Sequence, residues 1–61
     1  MNHYENFKKA LKDMGAKTIE GDIKGKVEGV PYTRYIRVEG SDSYAYFYFN
    51  NGLYVDIDIM A

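Results

Sequence analysis

The sequence predicts an α+β fold, with one N-terminal helix packed on one face of a four-stranded antiparallel meander sheet. Three observations carry this. Apolar residues recur every three or four positions up to Met14, then every second position from Ala16 onward. Short clusters of Gly, Ser, Asp and Asn separate the alternating runs at lengths that suit hairpins. The chain has 61 residues, the size of one domain, and such a domain buries only ~60% of the surface that it exposes when unfolded. Its core must come from one helix and one sheet, or be completed by a second copy.

The helix is expected over about residues 2–14. Asn2 can cap it, and Glu5 stands three residues later in the reciprocal capping position. Tyr4, Phe7, Leu11 and Met14 form one apolar stripe with Ala10 beside it, while Glu5, Lys8, Lys9, Lys12 and Asp13 fall on the other side. Gly15 suits the left-handed residue that ends a helix.

The strands are expected over about 17–28, 31–39, 44–50 and 52–59. In the first, Ile19, Gly21, Ile23, Gly25 and Val27 alternate with charged residues, so the odd positions are assigned to the core and the glycines to the approach of the helix or to a bend or bulge. Pro31 limits pairing at the start of the second strand, where Ile36 and Val38 face in and Tyr35 and Arg37 face out. The third strand sets Ala45, Phe47 and Phe49 against Tyr44, Tyr46 and Tyr48. The fourth sets Leu53, Val55, Ile57 and Ile59 against Tyr54, Asp56, Asp58 and Met60.

Hairpin lengths turn these patterns into registers. A two-residue loop at Glu28-Gly29 pairs Val27 with Val30, Gly21 with Ile36 and Glu20 with Arg37. One at Ser41-Asp42 pairs Val38 with Ala45, Ile36 with Phe47 and Arg37 with Tyr46. A three-residue loop at 50–52 pairs Phe49 with Leu53, Phe47 with Val55 and Tyr48 with Tyr54. All three place aliphatics and phenylalanines on one face, and a slip of one residue would bury tyrosine and aspartate instead. Arg34 and Tyr32 fall on the inner face by parity, at the sheet margin.

Several chemistries are disfavoured. There is no cysteine, so no disulfide, thiolate metal site or cysteine nucleophile can form. His3 is the single histidine, too few for the usual zinc sites, and reads as a solvated surface residue. Asp56 and Asp58 share one face, but a sheet of this size offers no glycosidase cleft. They read as charges that blunt an edge, or as partner contacts. Ser41 and Ser43 lack a base, and Gly21, Gly25 and Gly29 match no phosphate-binding loop. An enzyme is not expected, nor any cofactor or metal.

No run approaches the ~20 apolar residues of a membrane span, and the N-terminal residues lack the features of a secretion signal, so a cytoplasmic protein is expected. The net charge is −1, too balanced for strong attraction to nucleic acid or anionic membrane. The unusual number is seven tyrosines, six of them after residue 31. The registers gather Tyr35, Tyr44, Tyr46, Tyr48 and Tyr54 on the outer face with Arg37, Asp56 and Asp58. Tyrosine has high strand propensity and can simply shield a sheet. Five on an uncovered face exceed what shielding requires, and Tyr and Arg dominate binding hot spots.

A non-catalytic protein-binding module acting through this face is therefore expected, or a homodimer with the sheet face as its interface. Single-stranded nucleic acid stacking on the tyrosines is the alternative, opposed by Glu20, Asp22, Glu39, Asp56 and Asp58 on the same face. Very short, cofactor-free, acidic-leaning domains are common among phage and mobile-element proteins that block a host enzyme such as a defence nuclease, an association by size and type.

Overall fold

The computed structural model describes residues 2–60. Helix α1 spans His3–Asp13, and the Asn2 side chain caps it by accepting the Glu5 N–H at 3.1 Å. Gly15 follows with φ of 74°, and the Gly15 and Ala16 amides donate back to the Lys12 and Leu11 carbonyls, which closes the last turn. Six strands follow: β1 (Lys17–Gly21), β2 (Gly25–Val27), β3 (Val30–Tyr32), β4 (Arg34–Glu39), β5 (Tyr44–Asn50) and β6 (Leu53–Met60). Four form one antiparallel sheet in the order β1-β4-β5-β6, and β2 and β3 form a separate two-stranded ribbon. The α+β architecture and the meander order agree with the sequence expectation.

The central ladder also agrees. Strand β4 pairs with β5 so that Ile36 faces Phe47, Val38 faces Ala45 and Arg37 faces Tyr46. At the Glu28-Gly29 turn both central residues have positive φ, and Val27 pairs with Val30 as expected.

Two irregularities overturn the registers expected further out. The long strand 17–28 is not continuous. Between the pairs Gly25–Tyr32 and Gly21–Tyr35, one side carries three residues, Asp22, Ile23 and Lys24, and the other carries two, Thr33 and Arg34. The extra residue inverts the faces of β1. Gly21 opposes Tyr35 rather than Ile36, and Glu20 opposes Ile36 rather than Arg37. Ile19 therefore lies on the outer face, 51% exposed, and the odd positions of β1 do not face the core. The break has a local cause. The Thr33 amide donates to the Phe49 carbonyl on β5 at 2.9 Å, and its hydroxyl accepts the Asn51 amide at 3.0 Å, so Thr33 leaves the β2 side of the ladder.

The second irregularity is in the last hairpin. Asn51 and Gly52, with φ of 50° and 86°, make a two-residue turn that closes Asn50 on Leu53. Val55 is then the extra residue between the pairs Phe49–Tyr54 and Tyr48–Asp56. The expected pairs Phe49–Leu53, Phe47–Val55 and Tyr48–Tyr54 do not occur. Phe47 opposes Ile57 instead, and Tyr54 moves to the helix side.

The core is Tyr4, Leu11, Ile36 and Phe49, with Phe7, Ala16, Val38 and Phe47 packed against it. Tyr4 meets Phe49 edge to face at 5.2 Å, and Phe7 lies 4.7 Å from Phe47. Two backbone donors fix the helix start on the last hairpin. The Tyr4 amide donates to the Gly52 carbonyl at 3.0 Å, and the Tyr54 amide donates to His3 Nδ1 at 3.1 Å. His3 is thus a half-buried acceptor rather than a solvated surface residue. Arg34 sits at the inner margin as expected, with its guanidinium 4.8 Å from the Tyr4 ring centre.

Glu20, turned inward by the break after β1, becomes a helix anchor. Its carboxylate accepts the Tyr4 hydroxyl and pairs with Lys8 at 3.3 Å. The Tyr4 bond, with Lys8 beside it, holds the Glu20 carboxyl below the ordinary value of 4.5. Burial, reinforced by the Glu20 bond, pushes the Tyr4 phenol up to about 12.

Two stability experiments test this account. A Cβ added at Gly21 would collide with the Cε2–Cζ edge of the Tyr35 ring. Gly21→Ala should therefore cost ~1–3 kcal/mol in denaturant unfolding, and much less when Tyr35 is also alanine. Because its partners depress the Glu20 pKa, the stability that Glu20 supplies is complete above 4.5 and fades as pH falls through the lowered value. Glu20→Gln should lower stability by about 1 kcal/mol at neutral pH, a figure reduced for partial exposure. The gap from wild type should close on acidification in melts followed by circular dichroism.

Candidate protein-binding face

Alternation along β5 turns Tyr44, Tyr46 and Tyr48 away from the helix, and the ladders on either side set their neighbours. Tyr35, Arg37 and Glu39 of β4 oppose Tyr48, Tyr46 and Tyr44. On the other side, Asp56 and Asp58 of β6 oppose Tyr48 and Tyr46. The face therefore has an aromatic spine on β5, a mixed-charge flank on β4 and an acidic flank on β6.

The rings pack on one another. Tyr46 and Tyr48 stack at 6.1 Å with planes 15° apart. Tyr35 and Tyr44 each meet Tyr46 edge to face, at 5.3 and 5.7 Å. Arg37 lies across the spine, its guanidinium 4.2 Å from the Tyr44 ring centre and 5.8 Å from that of Tyr46. Its Nη2 pairs with Glu39 at 3.1 Å and its Nη1 donates to the Tyr46 hydroxyl at 3.5 Å. The enclosed Nε has no hydrogen-bond partner among the described residues. Each side chain is thus held in place before any partner arrives, which lowers the ordering entropy that docking must overcome.

Tyr32 also belongs to this face. Its ring covers Gly25, where a Cβ would stand 2.6 Å from its hydroxyl, and lies 4.6 Å from Tyr48. The inner-margin position expected for it is wrong because β2 and β3 form a separate ribbon and the parity of β4 does not extend into β3. With Tyr32 over one end, Tyr48 is only 9% exposed. Burial, then the negative charge of Asp58, raises the Tyr48 phenol above its ordinary value of 10.

Seven of the eight residues singled out by sequence stand together: Tyr35, Arg37, Tyr44, Tyr46, Tyr48, Asp56 and Asp58. Tyr54 does not. Its ring is on the helix side, 6.1 Å from Phe49 and parallel to Phe7 at 6.5 Å. Glu20, counted among the acidic residues of the face, is on the helix side as well. Sequence reasoning missed Tyr32. The available signal was Thr33, a hydroxyl residue two places after Pro31 that can tie the chain to a different strand.

Asp56 and Asp58 form no ion pair among the described residues. Asp56 Oδ1 accepts the Ile57 amide at 2.8 Å, which masks a donor on the outermost strand. No group of three or more metal-capable side chains occurs among the described residues. No helix among them is long and apolar enough to cross a membrane. No protein-family model, curated protein or solved structure matches the chain.

The raised Tyr48 phenol offers a direct check on this geometry. In a near-ultraviolet titration, Tyr48→Phe should remove an ionisation that occurs above pH 10. Asp58→Asn should move that step down without removing it.

Proposed function

We propose that the protein is a non-catalytic binding module that docks its tyrosine face on a protein partner. The observation that carries this is the locked ladder of Tyr35, Tyr44 and Tyr46 around Arg37, on the side of the sheet that α1 does not cover. Tyrosine gives large contact area at low entropic cost, and a desolvated Arg–Tyr cluster is the usual make-up of a hot spot. The face also selects by charge. Arg37 is already neutralised by Glu39, whereas Asp56 and Asp58 stand beside the rings with no ion pair among the described residues. A partner presenting Lys or Arg gains an ion pair and a cation–π contact at once. Phosphate gains neither, which ranks single-stranded nucleic acid second. Blocking the surface of a host enzyme, in the manner of small phage or mobile-element inhibitors, is the mode of action that needs only such a face.

Affinity capture from the native cell lysate, read by mass spectrometry, tests the proposal. The wild type should retain a partner that a Tyr44→Ala, Tyr46→Ala double variant loses by at least tenfold, while both proteins melt alike. Tyr48 is left intact because it is buried. Identical capture by the two would refute a role for the face. Oligonucleotide binding that tracks the same variant would favour nucleic acid instead.

A further inference from the structure

We propose that two copies of this chain associate through an apolar wedge on the opposite side of the sheet, between α1 and β6. The helix begins against the Gly52 turn and hands over to β1 at the other end of the sheet, where Lys17 pairs with Glu39. The helix meets β6 at Tyr54, while Ile57 and Ile59 further along the strand stay exposed. Two clefts result, and they meet at Leu11. One, of about 470 Å³, lies along the helix flank between Phe7, Ala10, Met14 and Tyr54. The other, of about 310 Å³, has Val38, Ala45, Ile57 and Ile59 in its floor and wall. Met14 is 78% exposed and Ile59 72%, although both belong to the apolar stripes that the sequence assigns to the core.

Four observations make a second copy the occupant. The first is need. Among the described residues only five hydrophobic side chains are buried, one of them Tyr48 on the outer face, and no metal-capable cluster occurs; there is no cysteine, so association is a way to enlarge the core. The second is area. Met14, Ile59, Tyr54 and Ile57 are 78%, 72%, 43% and 39% exposed, which supplies the apolar centre that such an interface needs. A standard interface takes about 800 Å² per partner, leaving a polar rim to make up the rest. The third is shape. The two clefts share Leu11, so the exposed Met14 beside one and the exposed Ile59 in the other lie on one continuous surface. A two-fold axis near Leu11 brings the Met14 side of each copy over the Ile59 side of the other, as an isologous contact requires. The fourth is charge. No acid, lysine or arginine lines the helix cleft, the one acid lining the second cleft, Glu39, is paired with Arg37, and a net charge of −1 per copy opposes association only weakly.

Extension of the sheet is not the route. Antiparallel pairing of two β6 strands about Ile57 would set Asp56 against the partner's Asp58, and the Asp56 carboxylate already covers the Ile57 amide. Pairing through the wedge leaves both tyrosine faces outward, so the dimer presents two copies of the proposed docking surface.

Sedimentation equilibrium and concentration-dependent thermal melts test the proposal. The wild type should be a dimer at micromolar concentration, with a melting temperature that rises with concentration. Ile59→Asp and Met14→Glu should each weaken association at least a hundredfold and remove that concentration dependence. Both sites are largely exposed in the single copy, so the monomers should keep their circular dichroism. If Ile59→Asp does not fold, Met14→Glu on the helix surface decides. Tyr46→Asp on the other face should leave the dimer intact. A wild type monomeric up to millimolar concentration overturns the proposal. So does a dimer that Tyr46→Asp dissociates while Met14→Glu does not. A monomer that binds an apolar dye, lost in Ile59→Asp, would make the wedge a ligand or partner site and also overturn it.

Discussion

Six consecutive residues of β4 pair with β5 without a slip, from Arg34 opposite Phe49 to Glu39 opposite Tyr44, and every other placement in the sheet is set relative to that ladder. It puts Ile36 and Phe47 on the helix side and Arg37 and Tyr46 on the other. The flanking strands join through irregular segments, one extra residue on each side. Those insertions let β1 and β6 present side chains that simple alternation would have turned the other way. The inner side gains Glu20 and Tyr54. The outer side gains Ile19 and a small residue, Gly21, under the Tyr35 ring.

Aromatic residues divide between the two sides according to their polar atoms. The three phenylalanines, Phe7, Phe47 and Phe49, all pack inside. Most tyrosines pack outside, where the ring can be shielded by a neighbour while the hydroxyl keeps its contact with water. Tyr4 is the informative exception. It is 3% exposed, which would strand its hydroxyl in the core if nothing accepted from it. Glu20 accepts that bond, and only the residue inserted after β1 brings Glu20 to the helix side. The irregularity and the buried tyrosine therefore support each other.

The same small core accounts for both proposed contacts. One helix covers part of one side of the sheet, so the outer side must protect itself with stacked rings and the β6 side of the helix keeps apolar surface exposed. The outer surface is rigid, polar-tipped and acid-flanked, features suited to recognition. The wedge is apolar and nearly uncharged, features suited to permanent cover. Their different chemistry lets the two coexist in one short chain without competing for the same partner.

Sequence alone determined the helix, its caps, the four-strand order, the register of β4 on β5 and seven of the eight residues grouped on the tyrosine face. These are local properties. Period, capping spacing and turn composition act within a few residues of one another and leave a direct trace in the chain. Which way β1 faces, where Tyr32 and Tyr54 point and what Glu20 binds were decided only by tertiary structure. Each depends on one inserted residue, and the alternating pattern of a strand reads almost equally well with the insertion or without it. The energetic difference comes from partners distant in sequence: the Phe49 carbonyl that takes Thr33 from the ladder, the Gly52 carbonyl that anchors the Tyr4 amide, and Phe7, whose ring draws Tyr54 inward. The tyrosine face thus remained legible where it rests on the uninterrupted β4–β5 ladder and was misread only beyond the two insertions.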